Sequence, residues 1–208
     1  FALSTGCQYI QSGMFRNVLV IGADTFSNIT DWDRRDSVFF GDGAGAILLT
    51  ATDEDRGFLK FEIHSDGTGK DGFTVRAGGC ETPTTAETMA QGLHCFQMDG
   101  KAVFDTAVSV VPKTIQSVLG QCGVGIDDVR CMLPHQPSIR ILQEIARRVE
   151  LPWEKVRTNM DRYANTSGGT IPIVLDETWR AEKFETGDHL LFAAVGAGWT
   201  WGAALYKC

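Results

Sequence analysis

The sequence contains no long apolar run and no excess of basic residues. A transmembrane helix needs roughly 18 or more consecutive apolar residues, and no segment of the 208 residues approaches that length. Lys and Arg total 19 against 26 Asp and Glu, which gives a formal net charge of −7. A general nucleic-acid binder needs a basic face, although a local basic patch is compatible with this balance. We therefore expect neither a nucleic acid nor a membrane as a partner.

Metal-binding spacings of cysteine are also absent. The cysteines form no C-x-x-C pair and match no zinc pattern; they are Cys7, Cys80, Cys95, Cys122, Cys131 and Cys208. A chain this long buries roughly 70% of its unfolded surface, so it does not need a disulfide framework. The opening residues, FALSTGCQYI, lack a starting methionine and the charged leader of a signal peptide. We expect reduced thiols, no metal and a cytoplasmic location.

Apolar and glycine-rich segments follow one another through the first half. Continuous apolar runs predict strands buried on both faces, and alternation predicts a strand with one wetter face. We predict a helix over 2–13, a doubly buried strand over 17–24, a glycine-rich turn and strand over 41–50, an alternating strand over 57–66, and a long surface excursion over 66–99. Excursions of this length are usually functional or mobile.

Helices and buried strands alternate in the second half. Apolar positions recur at helical spacing over 100–119 and 138–149. The segment DVRCMLPH predicts a short strand ending at His135, and a loop at Asn165 leads into a further helix. HLLFAAVGAG and TWGAALYKC predict two buried strands joined by a tight glycine turn. This alternation indicates a layered α/β architecture, and the length fits one large domain or two small ones.

Four short motifs allow both a chemical and a structural interpretation. His135 in LPHQPSIRIL is a reactive group or a residue of a strand-to-helix turn. Asn165 in NTSGG offers an amide to a ligand or caps the following helix. GDGAGA lacks the Lys-Ser/Thr of a nucleotide-triphosphate loop, so it favours a tight turn where backbone meets backbone. GAGWTWG offers backbone N–H groups to an oxyanion or forms a plain hairpin.

The order of these motifs resembles one family. FGDGAGA, LPHQPSIRIL, RYANTSGGTIP and GAGWTWGAAL are arranged as in the β-ketoacyl-acyl-carrier-protein synthase III family of thiolase-fold condensing enzymes, over essentially all 208 residues and most loosely at 66–97. The resemblance implies an α/β thiolase-like fold, layered α-β-α-β-α with mixed five-stranded sheets, whose N-terminal part is missing from this chain. Residues 1–99 would be the remainder of the N-terminal half and 100–208 the C-terminal half. Such a piece should expose apolar strand edges and faces unless the missing part accompanies it.

The resemblance implies a Cys-His-Asn triad in which His135 and Asn165 match the histidine and the asparagine. The opening FALS matches the end of the nucleophile segment, so the cysteine is expected just upstream of Phe1. Ala197, where many relatives carry glycine, matches a backbone N–H donor to the oxyanion.

None of the cysteines in this chain is expected to replace the nucleophile. Cys7 lies nearest to the expected place but on the wrong part of its helix. Cys131 precedes His135 by four residues on the strand, which is too far to share a site directly.

The resemblance implies a decarboxylative Claisen condensation in fatty acid or polyketide-type biosynthesis, without a cofactor. An acyl-CoA would acylate the cysteine, and a malonyl thioester on acyl carrier protein would lose CO₂ to give an enolate. Preset hydrogen-bond donors stabilise such developing charge. A neutral histidine N–H and an asparagine amide are donors of this kind.

Further residues match binding positions of the family. The CoA or pantetheine tunnel corresponds to Arg35, Gly100, Phe104, Pro137, Ser138 and Ile141, where Ser138 replaces a common asparagine. Arg140, Arg147 and Arg148 match the basic helix face that docks the acidic carrier protein, and a local basic face steers such a partner. The family also implies a homodimer. Two alternatives stay open: a same-fold acyltransferase that forms an ester or amide without condensation, and a non-catalytic partner subunit.

Overall fold

The computed structural model describes all of residues 1–208, with eight β-strands and six α-helices. The strands are β1 (Asn17–Asp24), β2 (Gly43–Thr50), β3 (Gly57–Ser65), β4 (Phe73–Val75), β5 (Phe96–Met98), β6 (Val129–Pro134), β7 (His189–Gly196) and β8 (Thr200–Lys207). The helices are α1 (Ala2–Gln11), α2 (Ala86–Ala90), α3 (Gly100–Cys122), α4 (Ile139–Val149), α5 (Met160–Tyr163) and α6 (Thr170–Ala181). No helix combines the length and the apolar character that crossing a bilayer would require.

The helices and strands predicted from periodicity are confirmed, with ends shifted by up to three residues. Helix α3 shows why its ends lie where they do. The Asp99 side chain accepts hydrogen bonds from the N–H groups of Lys101 and Ala102 at 3.0 Å, which caps the first turn. Gly123 adopts the left-handed conformation at φ 66° and ends the helix.

A four-stranded sheet in the order β3-β8-β7-β6 organises the C-terminal part. Strands β6 and β7 are parallel, and the other two pairs are antiparallel. Helices α3 and α4 cover one face, where Ile115 and Leu142 join the main core. Val174 of α6 packs with Leu133 and Leu190 on the other face. Because β6 and β7 are covered on both sides, their sequences are apolar apart from Arg130 in β6 and His189 at the start of β7.

Helices α1 and α6 form a middle layer that connects this sheet to the antiparallel pair β1–β2. Helix α6 contacts both β2 and β6, and α1 packs on β1. Gly6 allows α1 to pack closely on β1 and β2, since a Cβ there would lie 2.9 Å from a methyl of Leu49 and 3.2 Å from one of Val18. The layered α/β fold class is therefore confirmed, and this chain forms four of the five expected layers.

The prediction that residues 17–24 are buried on both faces is wrong for this chain. One face of β1–β2 packs against the middle layer, but no residue of the chain covers the other face. Leu19, Ile21 and Leu48 on that face are 58%, 62% and 65% exposed. The predicted exposure of an apolar strand face is thus confirmed. The two layered sheets hold four and two strands here, fewer than the five expected.

The excursion over 66–99 has structure of its own. Strands β4 and β5 pair antiparallel within it, and Thr85 caps α2. The pair carries Phe73 and Phe96 into an aromatic cluster with Phe26 and Phe40, where the last two rings stack at 4.6 Å. Strand β3 pairs with β8 and so lies in the sheet of the C-terminal strands. The domain boundary at residues 99 and 100 stays a prediction.

Candidate active site

His135 directly follows the last residue of β6. Its N–H donates to the Ala193 carbonyl at 2.8 Å and so extends the parallel pairing with β7. Helix α4 begins shortly afterwards, where the Ser138 hydroxyl accepts a hydrogen bond from the Ile141 N–H at 3.3 Å. The predicted strand-to-helix turn is confirmed. It places the imidazole at the carboxyl end of β6, and carboxyl ends of strands are where open α/β sheets place their ligands.

The His135 ring is neutral near pH 7. Burial lowers its pKa from the usual 6.5 to about 4, and a hydrogen bond to the Ser167 backbone opposes this lowering. Its Nδ1 lies 2.7 Å from Oγ1 of Thr170, a residue that is only 3% exposed. The Thr170 hydroxyl in turn donates to the Ser167 carbonyl at 2.8 Å. The ring is therefore held through Nδ1, which leaves Nε2 for a ligand.

Asn165 is held by the N-terminal part of the chain. Its N–H donates to the Phe39 carbonyl at 2.9 Å, and its own carbonyl accepts from the Gly41 N–H at 3.0 Å. The side-chain Oδ1 accepts from the Ser167 N–H at 2.9 Å. This contact lies within the loop and does not cap α6, whose N-cap residue Gly169 has no side-chain hydrogen bond, so the capping interpretation of Asn165 is wrong; the contact occupies only the oxygen. The amide nitrogen makes no hydrogen bond to the chain and is free to donate.

Glycines bring the Asn165 loop against β1 and β2. A Cβ at Gly41 would lie 2.5 Å from the Tyr163 backbone carbonyl oxygen, and one at Gly43 would lie 2.7 Å from the Thr166 side chain. The interpretation of GDGAGA as a close backbone approach is confirmed. Asp24 adds a polar link, since its carboxylate accepts a hydrogen bond from the Gly168 N–H at 2.8 Å.

The turn between β7 and β8 carries Ala197. The two strands form the predicted hairpin. The Ala197 carbonyl accepts a hydrogen bond from the Thr200 hydroxyl at 3.1 Å, whereas no acceptor in the chain takes up the Ala197 N–H. The hairpin thus presents an unused backbone donor.

A cavity of about 510 Å³ brings most of the predicted site residues together. Those that line it are Gly100, Phe104, His135, Pro137, Ser138, Arg140, Ile141, Asn165 and Ala197. Its remaining wall is mostly apolar and aromatic, and it includes Phe1, Leu3, Phe40 and Trp199. Arg35, Arg147 and Arg148 do not line it. Arg35 lies exposed in a short 3₁₀ helix over Arg35–Phe39.

The three predicted docking arginines differ in their contacts. Arg140 is exposed at the cavity. Arg147 and Arg148 both bind Glu144, at 2.8 Å and 2.7 Å, and these bonds lower the pKa of Glu144 to about 2. Arg148 also donates to the Val108 carbonyl at 2.8 Å. The basic face therefore contains an acidic residue that takes up part of its charge.

No cysteine of the chain lines the cavity. Burial raises the pKa of Cys131 and of Cys208 to about 11, and it also raises the pKa of Cys7. A nucleophilic thiol needs the opposite environment. The structure contains no cluster of three or more His, Cys, Asp or Glu side chains able to hold a metal ion.

Sequence reasoning missed a buried polar connection beside His135. The Gln136 side chain is fully buried, donates to the Pro134 and Arg157 carbonyls at 2.9 and 3.1 Å, and accepts from the Asn159 N–H at 3.2 Å. The Asn159 amide donates to Glu177 at 2.9 Å. The histidine loop is thereby joined to the segment that leads to Asn165. A glutamine next to an apolar strand was the only signal in the sequence.

Comparison with known proteins gives the same family for both ends of the chain. The profile of 3-oxoacyl-[acyl-carrier-protein] synthase III matches residues 1–67, and the profile of its C-terminal part matches residues 119–208. The chain belongs to the β-ketoacyl-acyl-carrier-protein synthase III family. A synthase III of Desulfitobacterium hafniense is 40% identical over 208 residues, which are all of this chain and 63% of that protein.

Solved structures of the synthase III family superpose closely. The crystal structure of the Aquifex aeolicus synthase III is 34% identical to this chain and has a TM-score of 0.89. The match covers 100% of this chain and 63% of the Aquifex chain. The priming β-ketosynthase of a polyketide biosynthetic pathway is 27% identical, with a TM-score of 0.86. The match covers 99% of this chain and 61% of the ketosynthase chain. The chain thus spans about 63% of the length of the relatives it matches.

Proposed function

We propose that this chain is the larger part of a condensing enzyme that joins an acyl-CoA-derived acyl group to a malonyl thioester, in fatty acid or polyketide-type biosynthesis. One observation supports this function above the others. A neutral His135 and the free amide of Asn165 come from two separately anchored loops and face one apolar cavity, together with the unused N–H of Ala197. Apolar pockets with a few converging polar groups are the usual form of a small-molecule site.

The two side chains serve the decarboxylation step. When the malonyl thioester loses CO₂, an electron pair moves onto the thioester oxygen and forms an enolate. His135 and Asn165 would each donate one hydrogen bond to that oxygen. Because burial keeps the imidazole neutral, its Nε2 would donate to that oxygen only in the tautomer that carries the ring hydrogen there. Each preset donor of this kind contributes about 3 kcal/mol to the transition state.

The Ala197 N–H serves acyl transfer. Attack of a thiolate on the acyl thioester makes a tetrahedral oxyanion, which Ala197 and the N–H of the nucleophile itself would hold. We propose that this nucleophile is a cysteine just upstream of Phe1, supplied by residues outside this chain. Phe1 and Leu3 line the cavity, and none of the chain's own cysteines does. The enolate carbon would then attack the acyl-enzyme and release the β-ketoacyl product and the thiolate.

Substrate entry follows from the same cavity. Gly100, Phe104, Pro137, Ser138 and Ile141 would border the pantetheine arm, and Arg35 at the surface would meet the CoA nucleotide. Arg140, Arg147 and Arg148 would dock acyl carrier protein. We further propose that the complete protein is cytoplasmic and a homodimer; light scattering of the complete protein would test the dimer.

The test is acylation and decarboxylation by the complete protein. Incubation with an acyl-CoA should add one acyl mass to an upstream cysteine, and malonyl-carrier protein should then yield CO₂ and a β-ketoacyl product. Acyl transfer to an alcohol or amine without CO₂ would establish the non-condensing acyltransferase. Absence of any acyl adduct would establish a non-catalytic subunit. A stable, turning-over adduct on Cys7 or Cys131 would contradict the upstream nucleophile.

A further inference from the structure

The Trp199 indole fills a slot between two glycines of the excursion. Trp199 lies two residues after Ala197 in the β7–β8 turn and is only 8% exposed. A Cβ at Gly69 would overlap Nε1 and Cδ1 of the indole, and one at Gly72 would lie 2.6 Å from its Cζ2. The ring therefore occupies the space that side chains at these two positions would need.

The segment that forms this slot is fixed at both ends. The Asp66 N–H donates to the Trp199 carbonyl at 2.7 Å, so the slot and the turn also share a backbone hydrogen bond. At the other end, the Gly72 carbonyl accepts from the N–H of Asp99, the capping residue of α3, at 2.8 Å. Gly100, which follows the cap, lines the cavity. The slot is thus anchored to the wall of the site.

The turn itself has few other restraints near Ala197. Between Ala197 and Trp199 there is a single residue, Gly198, with a φ of 136°. Within the turn, the only side-chain hydrogen bond is the one from the Thr200 hydroxyl to the Ala197 carbonyl. A shift of the indole would therefore move the Ala197 N–H. An error of about 1 Å in the position of a catalytic group costs about 100-fold in rate.

We propose that Trp199 is a positioning residue, which uses the Gly69–Gly72 slot to hold the Ala197 N–H where the tetrahedral oxyanion forms. This inference rests on the proposed function and deepens it. It gives the 66–72 segment, where the family resemblance is loose, a part in acyl transfer. The His135 and Asn165 donors are anchored elsewhere, by Thr170, Ser167 and the Phe39–Gly41 segment.

The Ala197 turn and the two side-chain donors are anchored by different residues, so variants of the complete protein can change one without the other. Gly69→Ala should displace the indole, and Gly67→Ala is the matched control, because a Cβ at Gly67 meets nothing within 4 Å. The first measurement is the acylation rate at saturating acyl-CoA by intact mass. The second is CO₂ release from a malonyl thioester without an acyl donor. The third is the melting temperature. Each is repeated in a Trp199→Ala background.

We expect Gly69→Ala to slow acylation at least tenfold, with CO₂ release within twofold of the unmodified protein. Gly67→Ala should leave both rates within twofold. In the Trp199→Ala background, which is itself slow in acylation, Gly69→Ala should cause no further loss, because the overlapping ring is gone. Residues that act through one contact are non-additive in this way.

Three results would overturn the inference. They are unchanged acylation in Gly69→Ala, equal loss of acylation and CO₂ release, and a Gly69→Ala effect that persists without the indole. Equal loss together with a lowered melting temperature would show general damage to the fold. If the unmodified complete protein forms no acyl adduct, the proposed function fails instead. In that case the melting temperatures still test the slot, since Gly69→Ala should lower stability only when Trp199 is present.

Discussion

Nδ1 of His135 lies 2.7 Å from Oγ1 of Thr170, and the same hydroxyl lies 2.8 Å from the Ser167 carbonyl oxygen. A hydroxyl carries a single hydrogen. If Thr170 donates it to Ser167, the neutral ring must carry its own hydrogen on Nδ1 and has none on Nε2. If Thr170 donates it to Nδ1, Nε2 carries the hydrogen and faces the cavity as a donor. The 2.8 Å hydrogen bond from Thr170 to Ser167 corresponds to the first arrangement, and the proposed decarboxylation requires the hydroxyl to switch to the second.

Removal of this hydroxyl should therefore impair decarboxylation. In Thr170→Val, the ring Nδ1–H bonds the Ser167 backbone directly, which favours the tautomer without hydrogen on Nε2. Loss of a buried hydrogen-bond partner costs about 1–3 kcal/mol, so CO₂ release should fall roughly 5- to 150-fold. Thr170→Ser keeps the hydroxyl and should retain most activity. Ring ¹⁵N shifts of His135 report the tautomer, and the same tautomer in both variants would refute the assignment.

The neutral imidazole should show in the pH dependence of stability. The unfolded chain protonates His135 near the usual pKa of 6.5, whereas the folded protein resists protonation down to about 4. The unfolded state therefore binds more protons between these values, and lowering the pH through this window removes stability, on the order of 3 kcal/mol. His135→Gln should lack this loss, while the carboxylates common to both proteins cancel in the comparison. Identical pH dependence of the unfolding free energy from pH 7 to 4.5 would contradict the buried neutral ring.

The basic face should affect carrier-protein substrates selectively. Reversal of Arg147 and Arg148 to Glu should weaken use of malonyl-carrier protein and leave reaction with CoA thioesters almost unchanged, because rim charges act mainly on encounter. Arg140 lines the cavity, so its reversal should also slow the CoA thioesters to some extent. Arg140→Glu should have the largest single effect, since Glu144 already binds the other two. Arg180→Glu on α6, an exposed arginine paired with Asp176, is the control. An equal loss of activity with carrier-protein and CoA substrates would contradict the docking role of these arginines.

The open face of β1–β2 should make residues 1–208 self-associate when expressed alone. Leu19, Ile21 and Leu48 form an apolar patch without cover, and such faces promote association. Ile21→Lys with Leu48→Lys should lower the apparent mass in light scattering. Met89→Lys, at an exposed position on α2, should not. A monodisperse monomer without any substitution would show that the face is harmless.

Local patterns predicted the elements, and the family resemblance supplied the two candidate catalytic side chains, but neither predicted the contacts that hold these side chains. The apolar face of α4, the strand that ends at His135 and the glycine approach of β2 each depend on neighbours in sequence. Thr170 follows His135 by 35 residues, and Trp199 meets Gly69 across the fold. No periodicity joins such pairs, so only the folded chain shows them.

Two further features of the structure differ in whether the sequence could have predicted them. The pairing of Glu144 with Arg147 and Arg148 has helical i,i+3 and i,i+4 spacing and was predictable from the sequence. The open face of β1 was not readable from its own residues, because a continuous apolar run indicates burial whichever part of a protein supplies the cover.

CO₂ release from malonyl-carrier protein by His135→Ala and Asn165→Ala in the complete protein tests the central claim most directly. If the two side chains donate to one enolate oxygen, each variant should lose about 10²–10³-fold in decarboxylation. The double variant should be little worse than either, because the donors act as a unit. Cysteine acylation should stay detectable, and the melting temperature should stay near that of the unmodified protein. Decarboxylation that survives His135→Ala, or unfolding of that variant, would show that His135 is a structural residue of the strand-to-helix turn.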